Sequence, residues 1–246
     1  TAYEMSTSDW SSTCALPICV PVEIQNSLRK GLYTEIRTEQ PVTDRQVTQI
    51  EARMHELIDT NLPLKKVKVE REEGLRVLDA ADLKEKKRLL EAARDVRFLK
   101  LYSLEGFVNF FYGLMVPSTG YLYDFSLQKY MKGLMLLHPH QGSPGKATQF
   151  YDDRNLYRAF EETKKWYATQ DIHYVMDLNE KIDQGESREM IQLSEALHEK
   201  KIVEIAADIM KKKKRIILIA GPSSSGKTTF ARRSTKIGRA SCRERV

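Results

Sequence analysis

The chain has 246 residues, with 41% hydrophobic and 30% charged. These proportions exclude a disordered or collagen-like chain and allow one large domain or two small ones. The net charge is +6, and five positive charges sit in the run 211–215; the remainder is close to balance, unlike the distributed basic face of a nucleic-acid binder. No apolar run approaches the roughly 20 residues of a membrane span, and no charged segment leads into an apolar secretory core. A cytoplasmic protein is expected, with neither membrane nor nucleic acid among its partners. Its oligomeric state is left open.

In chain order, Thr43 and Gln46 form a capping-box pattern. Val47, Ile50, Met54 and Leu57 or Ile58 follow at helical spacing, and the helix should stop near Asn61, ahead of Pro63. Residues 66–70 alternate, with Val67 and Val69 on one face, as in a half-buried strand. Short helical patterns cover 72–78 and 83–93. From Arg97 to Leu137 the chain is rich in Phe, Tyr, Leu and Val. It is punctuated at Gly106, Gly113, 117–120 and Gly133, which predicts several antiparallel strands. A loop is expected over 139–145.

Helices resume with Leu156, Phe160 and 164–167. Asp177 with Glu180 opens a second helix that Gly185 ends. From Ser187 the apolar spacing (Met190, Leu193, Leu197, then Ile202, Ile205, Ile209) slips after Leu197, predicting two helices or a kink. The lysines at 211–214 suit a solvated helix C-terminus, where cations complement the dipole.

The strongest chemical signal lies near the C-terminal end. Residues 216–220 form a wholly apolar run, as in a parallel strand covered on both faces. It leads into Gly221, Pro222, Ser223, Ser224, Ser225, Gly226, Lys227, Thr228 and Thr229, which match G-x-x-x-x-G-K-[ST]. In such a loop the glycines permit unusual backbone angles. The loop amides and the start of the following helix then cradle phosphate oxygens. The expected binding residues are Gly221, Ser223, Ser224, Ser225, Gly226, Lys227, Thr228 and Thr229. Lys227 is the catalytic candidate, neutralising the β- and γ-phosphates of ATP, and Thr228 is the Mg²⁺ ligand. The loop alone does not separate a kinase from an ATPase or GTPase.

This segment resembles the uridine kinase and phosphoribulokinase branch of P-loop kinases. The resemblance implies transfer of the ATP γ-phosphoryl group to a nucleoside 5′-hydroxyl. The acceptor-site and lid residues of that family would lie downstream.

A second resemblance covers about 20–138. The stretches ARMHEL, LPLKKVKVEREE and FVNFFYGLMVPSTG are similar to the second additional domain of threonyl-tRNA synthetases. In the synthetase, the last stretch carries a cysteine and a histidine that serve editing. Here those positions hold Phe111 and Met115, so the resemblance implies the fold without the editing chemistry. Tyr102, Tyr112, Tyr121 and Tyr123 are read as half-buried strand residues. His138 and His140 lack a nearby third metal ligand. The order of parts, with LSEALHEKKIVEIA between them, resembles a bacterial uridine kinase-like nucleoside kinase with a synthetase-like module.

Both ends resemble translated sequencing adapters, over 1–19 and 237–246. Cys14, Cys19 and Cys242 all lie there, so disulfide, zinc-thiolate and catalytic-cysteine chemistry is not expected.

The expected architecture is therefore α+β. A synthetase-like domain spans 20–150, a helical linker 151–214, and the start of a truncated α/β P-loop kinase domain 215–236. The expected parent is a nucleoside kinase using ATP and Mg²⁺, while the 246-residue chain itself is expected to be inactive. The alternative is a tRNA- or RNA-binding or sensing module coupled to a P-loop NTPase.

Overall fold

The computed structural model describes residues 22–36, 41–93, 95–111, 113–122, 124–140, 145–214 and 216–243. The fold is α+β, with two antiparallel sheets and seven helices among these residues. The chain divides into two compact units, Thr1–Glu162 and Thr163–Val246. No helix among the described residues is long and apolar enough to cross a membrane.

The first unit opens with a hairpin of β1 (Val22–Leu28) and β2 (Gly31–Ile36), which the sequence reading did not anticipate. The alternation in β1 is broken by a register shift between Ile24 and Asn26, and a bulge of this kind blurs a period of two. Helix α1 (Asp44–Asp59) starts on the expected capping box: the Gln46 amide N–H donates to Thr43 Oγ1 (3.3 Å), and the Thr43 N–H donates to Gln46 Oε1 (2.9 Å). Its buried face is Val47, Ile50, Met54 and Leu57.

Strand β3 (Lys65–Glu70) runs straight into α2 (Arg71–Ala80), followed by α3 (Lys84–Ala92), β4 (Phe98–Leu104) and β5 (Phe107–Phe110). Strands β6 (Ser126–Tyr130) and β7 (Gly133–Leu137) complete the unit's sheets. The strands expected between Arg97 and Leu137 thus divide between two sheets, ordered β1-β2-β7-β6 and β3-β4-β5.

Strand β7 is buried at all five positions because both faces of its sheet are covered. Leu134 and Leu136 join α1, Leu104, Phe125 and Leu127 in the main core. Met135 and Leu137 point to the other face, with Leu28, Tyr33, Tyr130 and Tyr157. Tyr157 comes from α4 (Arg154–Ala168).

In the smaller sheet, Leu99, Leu101 and Phe110 pack on Leu78 and Leu90 of the two helices. Gly74 allows this approach, since a methyl group there would overlap Leu99. Val69 packs against this cluster, but Val67 on the edge strand is 51% exposed. The expectation that both valines share a half-buried face therefore holds only at Val69, because the cluster does not extend to Val67.

Residues 117–120 are a clasp between the two sheets' connections. Thr119 N–H donates to the Leu62 carbonyl (2.9 Å) and Leu64 N–H to the Pro117 carbonyl (2.9 Å). Ser118 Oγ and Gly120 N–H both donate to Asn61 Oδ1, at 2.6 and 3.1 Å.

In the second unit, α5 (Val175–Asp183) begins two residues earlier than expected. Asp177 is its third residue, and its carboxylate accepts from the N–H groups of His173 (2.9 Å) and Tyr174 (2.8 Å). The acidic residue thus caps from inside the first turn. Gly185, at φ +83°, terminates the segment as expected.

Helix α6 (Ser187–Lys211) is one uninterrupted helix of 25 residues, which corrects the first of the two expected alternatives, a pair of separate helices. Its buried residues are Ile202 and Ala206, so the slipped N-terminal positions need not align with a continuous core. The lysine run follows at its solvated end, where Lys212 pairs with Asp208 at 2.6 Å. Helix α7 (Lys227–Arg243) packs on α6, with Arg233 paired to Glu199 at 3.2 Å. It continues past Lys236 and Ile237 without interruption.

Candidate functional site

The loop at 221–226 is followed by α7, whose first residue is Lys227. The first intrahelical bond runs from Phe230 N–H to the Gly226 carbonyl at 2.9 Å. The preceding amides, at Lys227, Thr228 and Thr229, belong to the first turn, where N–H groups lack an intrahelical acceptor. Gly226 has φ +77° with open space where a side chain would begin. Sequence reading places the second special backbone position at Gly221. The structure places it at Ser224, with φ +59°. At Gly221 the requirement is steric: a Cβ would come within 2.8 Å of Ser225 Oγ.

Lys227 turns its ammonium into the loop and donates to the carbonyls of Gly221 (3.0 Å) and Pro222. This ties the ends of the loop together. Ser223, Ser224, Ser225, Thr228 and Thr229 are exposed. The donor set therefore fits a polyphosphate: one ammonium, a serine-rich loop and the amides of a 17-residue helix. The exposed Thr228 hydroxyl is a group that Mg²⁺ accepts as ligand.

The run 216–220 departs from expectation. It forms no strand and is exposed throughout, with Ile216 at 80% and Leu218 at 91%. A parallel strand needs hydrogen-bonded neighbours on its edges and cover on its faces. Among the described residues nothing supplies them.

The remaining candidates fall into structural roles. Phe111 is buried, with Tyr102 5.9 Å away in a tilted contact and the Lys86 ammonium 5.0 Å from its ring centroid. Met115 packs against the main core, and its N–H donates to Tyr102 Oη at 3.3 Å. The two positions that the synthetase resemblance assigns to a cysteine and a histidine are thus filled by apolar groups. Tyr102 is buried and Tyr121 is 60% exposed; Tyr112 and Tyr123 lie outside the described residues. His138 is buried and donates from Nδ1 to the Pro139 carbonyl at 2.9 Å. His55 stacks on Phe125 at 4.3 Å. No group of three metal-ligating side chains occurs among the described residues.

No family model matches the chain. Part of it is similar to threonine–tRNA ligases. A stretch of 101 residues, 41% of the chain, is 30% identical to the enzymes of Listeria monocytogenes and Listeria welshimeri. A stretch of 108 residues, 44% of the chain, is 31% identical to that of Marinobacter nauticus. These stretches take in 16% and 17% of the relatives' lengths, so the chain spans about a sixth of the proteins it matches. The similarity supports the synthetase-like reading of part of the chain and leaves the nucleotide loop to be argued from its own residues.

Proposed function

We propose that the chain carries the phosphate-binding loop of an ATP-dependent nucleoside kinase, preceded by a synthetase-like module and a helical linker. The observation that carries this reading is the loop itself: Gly226 in the left-handed region, Lys227 closing the loop, and a long helix starting at that lysine.

In this reading the first-turn amides and Lys227 hold the β- and γ-phosphates, and Thr228 holds Mg²⁺. The reaction moves the γ-phosphoryl group from ATP to a nucleoside 5′-hydroxyl and releases ADP. Catalysis of this kind is mainly positioning and charge stabilisation. Lys227 must leave the Gly221 and Pro222 carbonyls to reach a phosphate oxygen, while the amides are already in place. The nucleoside is the expected partner, and its binding residues are not among those identified in this chain.

The test is uridine-dependent ADP release by the full-length protein, with Mg²⁺ and ATP. Lys227→Ala should lower turnover on the order of 100-fold or more, with an unchanged circular dichroism spectrum. Unchanged turnover would overturn the assignment. The 246-residue chain alone should show none, because among the described residues 216–220 has no sheet to hold the loop in register.

A further inference from the structure

We propose that the exposed end of one face of the three-stranded sheet binds single-stranded nucleic acid, with Lys66, Lys68 and Lys100 on its phosphates and Phe98 against a base. This inference is independent of the nucleotide-loop reading.

The register sets the face. Lys66 lies opposite Tyr102, Lys68 opposite Lys100, and Glu70 opposite Phe98, and directly opposed residues point to the same side of a sheet. The reverse side carries Val69, Leu99, Leu101 and Phe110 into the helix-covered cluster. The first side is packed at Tyr102, Leu104 and Asn109, which are buried, and toward its other end it presents three exposed lysines beside a phenylalanine ring that is 50% exposed. Glu70 is the one acidic residue that β3 and β4 contain.

Two features point to a polyanion. First, Lys68 and Lys100 face each other directly across the strands, and like charges in that position destabilise a strand pair. An anion between them would reverse that cost. Second, none of the three lysines has a carboxylate partner among the described residues.

The aromatic groups choose among polyanions. Lys68 Nζ lies 4.1 Å from the Phe98 ring centroid, and Lys66 Nζ lies 5.9 Å from that of Tyr102. An exposed ring set among cations offers the charge and the stacking surface that hold single strands without sequence preference. An acidic peptide would satisfy the lysines and leave the ring in water. The chain-wide charge argues against nucleic acid because it sums over positions that never share a surface. Strand alternation gathers these three charges on one side.

The experiment is fluorescence anisotropy of a fluorescein-labelled 12-mer oligouridylate titrated with the full 246-residue chain. Binding should weaken with salt at a log–log slope of about −2, as expected for three phosphate contacts on a single strand. The triple variant Lys66→Ala, Lys68→Ala, Lys100→Ala should bind at least about 30-fold more weakly. Phe98→Ala should bind roughly tenfold more weakly. The triple Lys→Arg variant should retain binding, and alanines at 211–214 should leave it within about twofold. All positions changed in the sheet are exposed, and melting curves of each variant verify that it folds. Absence of binding at 50 mM salt would overturn the proposal. So would binding that survives the triple alanine variant, or binding lost through 211–214 instead. Competition by polyglutamate or anionic vesicles equal to that by oligouridylate, with no effect of Phe98→Ala, would also overturn it by assigning the face to another anion.

Discussion

Two short apolar runs meet opposite fates. Gly133–Leu137 is buried at every position, and 216–220 is exposed at every position. Both are rich in branched aliphatic residues, and both would be read from sequence as interior strands. The first lies between β2 and β6, hydrogen-bonded on both edges. Its side chains reach a helix-covered core on one face and a tyrosine cluster on the other. The second has neither edge partners nor cover among the described residues. Apolar composition creates a demand for burial, and the rest of the fold decides whether that demand is met.

The contrast can be broken most severely at its buried end. Leu136 is 1% exposed, and Leu136→Ala should cost about 2–5 kcal/mol, read from urea unfolding. A loss below about 1 kcal/mol would mean that β7 is not the centre of the unit.

A smaller effect, confined to alkaline solution, probes the other face of the same sheet. Burial, and then the hydrogen bond donated to Asp152 (2.9 Å), push the Tyr130 hydroxyl up to about 12. Burial pushes Tyr33 in the same direction. A pKa raised in the folded state contributes stability that is complete below the unfolded value, about 10 for tyrosine. That stability is lost as pH rises toward 12. Wild-type protein should therefore lose stability relative to Tyr130→Phe between about pH 10 and 12. Ultraviolet titration should show tyrosine ionisation extending into that upper range, with less of it in Tyr130→Phe. Parallel stability curves for the two proteins would contradict the buried cluster.

The smallest effect is expected at the exposed run. Leu218 is 91% exposed, so Leu218→Ala should change unfolding free energy by no more than about 0.5 kcal/mol. A cost approaching that of Leu136→Ala would show that the run finds cover in solution.

Much of the local structure was legible. The Thr43–Gln46 box, the apolar stripe behind it and the stop near Asn61 are short-range physics, complete within a few residues. So is the helix start at Lys227. The β1–β2 hairpin was missed because a register shift hides its alternation. The continuity of helix α6 was not legible because only Ile202 and Ala206 are buried, so its other apolar positions report no shared face.

The sequence by itself determined the α1 cap, the helix start at Lys227 and the apolar side chains at Phe111 and Met115, because each depends on residue identity at one place. Only the tertiary structure decided which strands pair, which apolar runs are covered, where Lys227 points and which lysines share a face. Those outcomes depend on contacts between residues far apart in the chain, where the same local pattern is compatible with burial or exposure.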